Sequence, residues 1–170
     1  VYAWMPVLGF KLTDAELQRE LQIVATGENE IPRLDPGDPR TLAIVSDIYA
    51  ELAANSHFDG LLFHDDAYLR DDEIPAYGGG VPAARTQRLI DFTMALKTVA
   101  QRWRPKLTTA RTLFARPVLE PASEAWFAQR LEPFLAAYDR TALMAMPHME
   151  QADDPQAWLG TLADAVRATP

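Results

Sequence analysis

A chain of 170 residues, 48% hydrophobic and 24% charged, is long enough for one globular domain with a sizeable core. Its formal net charge of −8 argues against a nucleic-acid partner and suits a neutral or cationic ligand. The lack of cysteine excludes structural disulfides and thiolate zinc sites, and no run approaches the ~18 apolar residues of a membrane span.

Val1 to Leu8 reads as a strand rich in β-branched and aromatic residues, with Pro6 near its end and a stop at about Gly9. This start has the character of protein interior, without initiator Met or leader, so the sequence is expected to be a piece of a longer chain. Lys11 to Pro36 is polar; Thr13-Asp14-Ala15-Glu16 can open a short helix, and Thr26-Gly27-Glu28-Asn29 marks a loop. Asp38-Pro39 is an N-cap followed by Pro at the first helical position. Leu42, Val45, Ile48, Tyr49 and Leu52 then recur at helical spacing, which predicts a helix from Pro39 to Ala54.

Phe58-Asp59-Gly60-Leu61-Leu62-Phe63-His64-Asp65-Asp66-Ala67 is the most informative stretch. Leu61 to Phe63 fits a short strand buried on both faces, and it runs straight into three ionisable side chains. A loop follows from Ala67 to about Pro82, carrying Asp71, Asp72 and Glu73 and ending in Gly78-Gly79-Gly80. That triplet lacks the spacing of a phosphate-binding loop and reads as a connection. Ala83 to Trp103 is the next helix, with Leu89, Phe92, Leu96, Val99 and Trp103 on one stripe. Leu107 to Phe114 is a third strand with Arg111 near its end. Ser123 caps a helix holding Trp126, Phe127, Leu131, Phe134 and Leu135. A fourth strand, Ala142 to Met146, ends in Pro147-His148-Met149-Glu150, and Asp154-Pro155 opens a last helix that buries Trp158, Leu162 and Val166.

The expected fold is therefore α/β, with strand and helix alternating four times and a parallel sheet. An open doubly wound sheet is one solution, but no Gly-x-Gly-x-x-Gly follows the first strand. Lys11, His64 to Asp66, Arg111 and His148 to Glu150 gather ionisable groups at strand ends, which suits a (β/α) TIM-like barrel. About four βα units are present, so residues 1–170 are expected to form part of a single barrel domain.

Chemistry in parallel α/β folds sits at the carboxyl ends of strands, where His64, Asp65 and Asp66 fall. Two adjacent carboxylates beside an imidazole are costly to ionise together in a partly buried site, a condition that keeps one carboxyl protonated as a general acid. The competing reading makes the two aspartates caps and His64 a satisfied core histidine. A metal site needs ligands from elsewhere, and His57 and His148 are the only other histidines. No Ser-His-Asp constellation or Gly-x-Ser-x-Gly elbow stands out. What remains is acidic and aromatic: Asp65, Asp66, Asp71, Asp72, Glu73 and Glu150, with Trp4, Tyr68, Tyr77 and Trp126. Carboxylates with aromatic platforms are the equipment of carbohydrate hydrolysis. For Trp126 a core position serves equally well, a role its neighbour Phe127 can share.

Four blocks in order resemble the C-terminal domain of PgaB-type proteins: Val1 to Leu8, Phe58 to Ala67, Ser123-Glu124-Ala125-Trp126-Phe127-Ala128-Gln129 and Met144-Ala145-Met146-Pro147. These proteins are the poly-β-1,6-N-acetyl-D-glucosamine N-deacetylases of bacterial biofilm systems, including the Bordetella-type BpsB proteins. The resemblance implies a (β/α)-barrel glycoside hydrolase that cleaves the partially deacetylated polymer internally, beside an N-terminal deacetylase domain absent from this sequence. It implies acids matching Asp65, Asp66 and Asp71 and a groove tryptophan matching Trp126. Together with the strand-end and aromatic placements above, this makes Asp65 and Asp66 catalytic candidates and His64, Asp71, Trp126, Glu150, Arg111 and Trp4 substrate-binding candidates, with no metal and no cofactor expected. Deacetylation leaves glucosamine ammonium groups, which an acidic groove attracts. The implied setting is a periplasmic monomer, associated with the outer membrane, whose partners are the polysaccharide and an export porin. The alternative is a scaffold that binds and exports the polymer without cleaving it. Two departures stand out: only Tyr77 to Pro82 occupies a stretch that is longer in the family, and Ile31 or Pro32 stands where members can carry an aromatic residue.

Overall fold

The structure is a computed structural model and describes residues 1–23, 32–73 and 81–169. The Thr26 to Asn29 loop, Ile31, Tyr77 and the Gly78 to Gly80 triplet lie outside the described residues. Four parallel strands form one sheet in the order β1 (Tyr2–Met5), β2 (Gly60–Phe63), β3 (Thr108–Phe114) and β4 (Arg140–Met144). Each strand pairs with its predecessor in the chain, with Met5 beside Phe63 and Phe63 beside Arg111. A doubly wound sheet reverses its strand order at a switch point. This sheet does not, in keeping with a TIM-like (β/α) barrel of which four units are present among the described residues.

The helices follow from local signals. α1 (Ala15–Leu21) is capped by Asp14, whose carboxylate accepts the Glu16 and Leu17 amides. α2 (Pro39–Asn55) starts on Asp38 and buries Thr41, Val45, Tyr49 and Ala53, one residue per turn. α3 (Pro82–Gln101) buries Leu89, Phe92 and Leu96 on the expected stripe. Trp103 lies past its end and is exposed, a correction to the stripe. Strand alternation puts Leu61, Phe63, Arg111 and Leu113 against the helices, while Trp4 on the opposite face is 63% exposed. At Gly60 a Cβ would stand 2.4 Å from the Tyr2 ring, so only glycine lets these strands pair here.

Three boundaries differ from expectation. β1 stops at Met5; Val7 and Leu8 are buried as loop residues rather than as strand. β4 begins at Arg140, two residues early, and Ala145 turns back with its amide on the Leu143 carbonyl. The single helix expected after Ser123 is two: α5 (Glu124–Phe127) and α6 (Leu131–Ala137), preceded by α4 (Arg116–Leu119). The break is Ala128, a left-handed C-cap at φ 49°, and Ser123 makes no side-chain cap bond. The last helix, α7 (Pro155–Ala168), is capped by Asp154 and fully buries Leu162, with Trp158 and Val166 half-buried.

Candidate active site at the carboxyl end of the sheet

β2 delivers His64, Asp65 and Asp66 at its carboxyl end. The His64 ring packs on Trp4, with centroids 4.5 Å apart and planes tilted by 34°. His64 Nδ1 lies 2.6 Å from Asp65 Oδ1 and accepts the Asp66 amide N–H at 3.2 Å. The two aspartates have different surroundings. Asp65 keeps 28% of its side chain exposed beside the imidazole. Asp66, at 12%, accepts three consecutive backbone amides: Val7 N–H at 2.9 Å, Leu8 N–H at 2.7 Å and Gly9 N–H at 2.5 Å. A side chain at Gly9 would put its Cβ 3.1 Å from Asp66 Oδ2, so glycine leaves the amides room to close on the carboxylate.

Arg111 is fully buried in mid-strand on the helix side of β3. It donates to the carbonyls of His64 and Ala67, the latter at 2.5 Å, and lies over the Phe134 ring. That burial removes it from the substrate-binding set and makes it a positioning residue for the loop after β2. Gln129 does related work: it donates to the Ala67 carbonyl at 3.3 Å and accepts the Phe114 amide at 3.0 Å. Nothing in its sequence context marks it, since an isolated Gln after an aromatic pair reads as a solvent residue.

The acidic loop is anchored from below. Arg33 and Glu73 form an ion pair with side chains 4% and 2% exposed. Arg33 also donates to the Tyr68 carbonyl and stacks over its ring at 3.9 Å, while Glu73 accepts the Arg70 amide at 2.8 Å. Asp72 pairs with Arg70, and Asp71 is half-buried at the head of a short 3₁₀ turn. Tyr68 meets Phe114 edge-on, and Phe114 packs against Phe127 at 4.7 Å. Of the adjacent aromatics Trp126 and Phe127, therefore, Phe127 packs inward and Trp126 stays 48% exposed. α5 is held there by α3, through Thr86 to Glu124 at 2.7 Å and Arg85 to the Ala125 carbonyl at 2.9 Å.

Glu150 lies after β4 with its carboxylate 3.4 Å from the Arg116 guanidinium, so its charge is matched locally. His148 is exposed in the same turn, and His57 precedes β2 at the opposite end of the sheet. Among the described residues, no group of three or more His, Asp or Glu side chains is placed to hold a metal ion. The arrangement offers a carboxyl group beside an imidazole at Asp65 and an aromatic face at Trp126.

The family model described as hypothetical glycosyl hydrolase family 13 matches residues 1–77 and 80–170. The chain belongs to this family. The break in the match falls within Gly78-Gly79-Gly80, where the sequence is expected to be shorter than its relatives. The poly-beta-1,6-N-acetyl-D-glucosamine N-deacetylase of Escherichia coli K12 is 39% identical over 204 residues, covering 100% of this chain and 30% of that protein. The protein of the same description from Escherichia coli O157:H7 aligns with the same figures. Among solved structures, the PgaB (BpsB) glycoside hydrolase domain from Bordetella bronchiseptica superposes with a TM-score of 0.87 and 37% identity, over 98% of this chain and 56% of that one. The family member described here thus spans less than a third of its curated relatives and about half of that solved chain.

Proposed function

We propose that this chain carries the acid end of a glycoside hydrolase that cleaves partially deacetylated poly-β-1,6-N-acetyl-D-glucosamine internally. The observation that supports it most is the 2.6 Å contact between Asp65 and His64 at the carboxyl end of β2. The contact holds the Asp65 carboxyl beside the imidazole at the end of β2, with more of its side chain open to a ligand than that of Asp66. Asp65 is then the general acid that protonates the leaving glycosidic oxygen. Asp66, its oxygens occupied by backbone amides, holds the β2 end in place rather than donating a proton. The oxocarbenium-like state is stabilised either by a second carboxylate or by the substrate's own acetamido group.

Trp126 supplies a face for a sugar ring, Trp4 backs the His64 ring, and Asp71 supplies charge for a glucosamine ammonium. Glu150 is matched by Arg116 and is less suited to that cation. In this reading the chain is part of one barrel within a larger polypeptide that also carries a deacetylase domain, acting as a periplasmic monomer that passes polymer to an outer-membrane porin. It is supported by the N-deacetylase description of the curated relatives, of which the chain spans 30%.

The test uses the full-length polypeptide with the partially deacetylated polymer, following oligosaccharide release by mass spectrometry. Release by the parent, lost in a folded, polymer-binding Asp65→Asn variant, is expected. Binding without release in the parent would leave the export scaffold as the function.

A further inference from the structure

A cavity of about 240 Å³ opens between the ends of β3 and β4. Its walls include Met144, Met146, Met149 and Phe127, and its rim carries Arg116 and Glu150. We infer that this cavity is a subsite that binds the N-acetyl group of one sugar in the polymer. The inference rests on the reading above that an N-acetylglucosamine polymer lies across this face.

An acetamido group has three parts, and the cavity offers a partner for each. Thioether and aromatic walls suit the methyl group. A guanidinium donates to the carbonyl oxygen, and a carboxylate accepts the amide N–H. The two rim groups share one contact at 3.4 Å, and a guanidinium has five N–H donors and a carboxylate several lone pairs, so each keeps hydrogen-bonding capacity beyond that pair. An ammonium fares worse here, because the walls are apolar and Arg116 offsets the Glu150 charge. The cavity therefore selects an acetylated residue, while Asp71 on the neighbouring loop favours a deacetylated one. Adjacent strands lie ~4.8 Å apart, so the ends of β3 and β4 are on the order of 5–10 Å from β2. One or two sugar rings span that distance, which fits a subsite near the scissile bond.

Methionine methyl NMR on the full-length polypeptide reads this site without turnover. Met144→Leu, Met146→Leu and Met149→Leu assign the resonances. A β-1,6-linked N-acetylglucosamine trisaccharide is expected to shift them, and its fully deacetylated counterpart to leave them in place. Met149→Trp, at a side chain 74% exposed and so tolerant of change, is expected to fill the cavity and weaken the acetylated ligand about tenfold. Equal shifts with both ligands, or none with either, overturn the inference. Oligosaccharide release is scored on the same samples. Shifts without release keep the subsite and sink the hydrolase reading; release without shifts does the reverse.

Discussion

The backbone amide of Leu8 donates to the Asp66 carboxylate at 2.7 Å, between similar bonds from Val7 and Gly9. This joins the loop after β1 to the end of β2 and fixes the direction in which His64 and Asp65 leave the sheet. Of the two adjacent acids, Asp66 thereby holds the backbone, while Asp65 keeps more of its side chain exposed.

That division gives the first prediction. Asp66→Ala leaves several part-buried amides without an acceptor and is expected to cost about 2–4 kcal/mol in denaturant unfolding. Asp65→Asn is expected to stay within about 0.5 kcal/mol of the parent, yet to lose turnover on the order of 10²–10⁴-fold. Comparable destabilisation by both variants would refute the division of roles.

The Arg33–Glu73 pair supports a second. Both side chains are almost fully buried, so Glu73→Gln strands a guanidinium away from water. The expected loss is about 3–5 kcal/mol, with weaker polymer binding through displacement of the Asp71 loop. The double variant Arg33→Met/Glu73→Leu removes both charges and is expected to lose less than Glu73→Gln alone. A double-mutant cycle in urea measures the difference, and additive losses would show the pair to be uncoupled.

These relationships differ in how legible they are in the sequence. β2, α2 and α3 are readable because hydrophobic periodicity and the Asp38-Pro39 cap act locally. The His64 to Asp66 cluster is readable because a strand end locates it. Val7 and Leu8 mislead, since burial in a loop and burial in a strand leave the same apolar run. Their role appears only when Asp66, more than fifty residues away, receives their amides. Arg111 misleads in a related way: a charged residue suggests solvent, but strand alternation turns it into the helix layer, where loop carbonyls replace water. The break at Ala128 has no local glycine to announce it, and the choice between Trp126 and Phe127 depends on Phe114 from another strand.

Trp126 and Trp4 are separated by a third prediction. Trp126→Ala is expected to weaken polymer binding about tenfold, with kcat and stability nearly unchanged, because α5 is held by other residues. Trp4→Ala is expected to lower both binding and kcat, since Trp4 also supports the His64 ring. Steady-state kinetics on oligomers of defined length check this, and an unchanged kcat for Trp4→Ala would count against a role for His64 orientation.

The fourth concerns pH and Asp139, which links α3 to the sheet far from the site. Its carboxylate accepts the Thr109 amide at 2.8 Å and the Thr109 hydroxyl at 2.9 Å, with Lys97 at 3.3 Å. The Thr109 amide bond, opposed by partial burial and aided by the hydroxyl and Lys97, holds this carboxyl below its usual range. A lowered carboxyl contributes stability that is fully present above its unfolded value of about 3.9. That contribution is lost as pH falls through the lower folded value. The side chain is 43% exposed, so solvent screening limits the effect to about 1 kcal/mol at neutral pH. Asp139→Ala is expected to show that deficit in urea unfolding at about pH 7 and to approach the parent by about pH 3. Asp139→Asn, which keeps an acceptor for Thr109 but cannot ionise, is expected to lose less at neutral pH. A parent-to-Ala gap that stays constant across this range would mean that the Asp139 charge contributes nothing to folding.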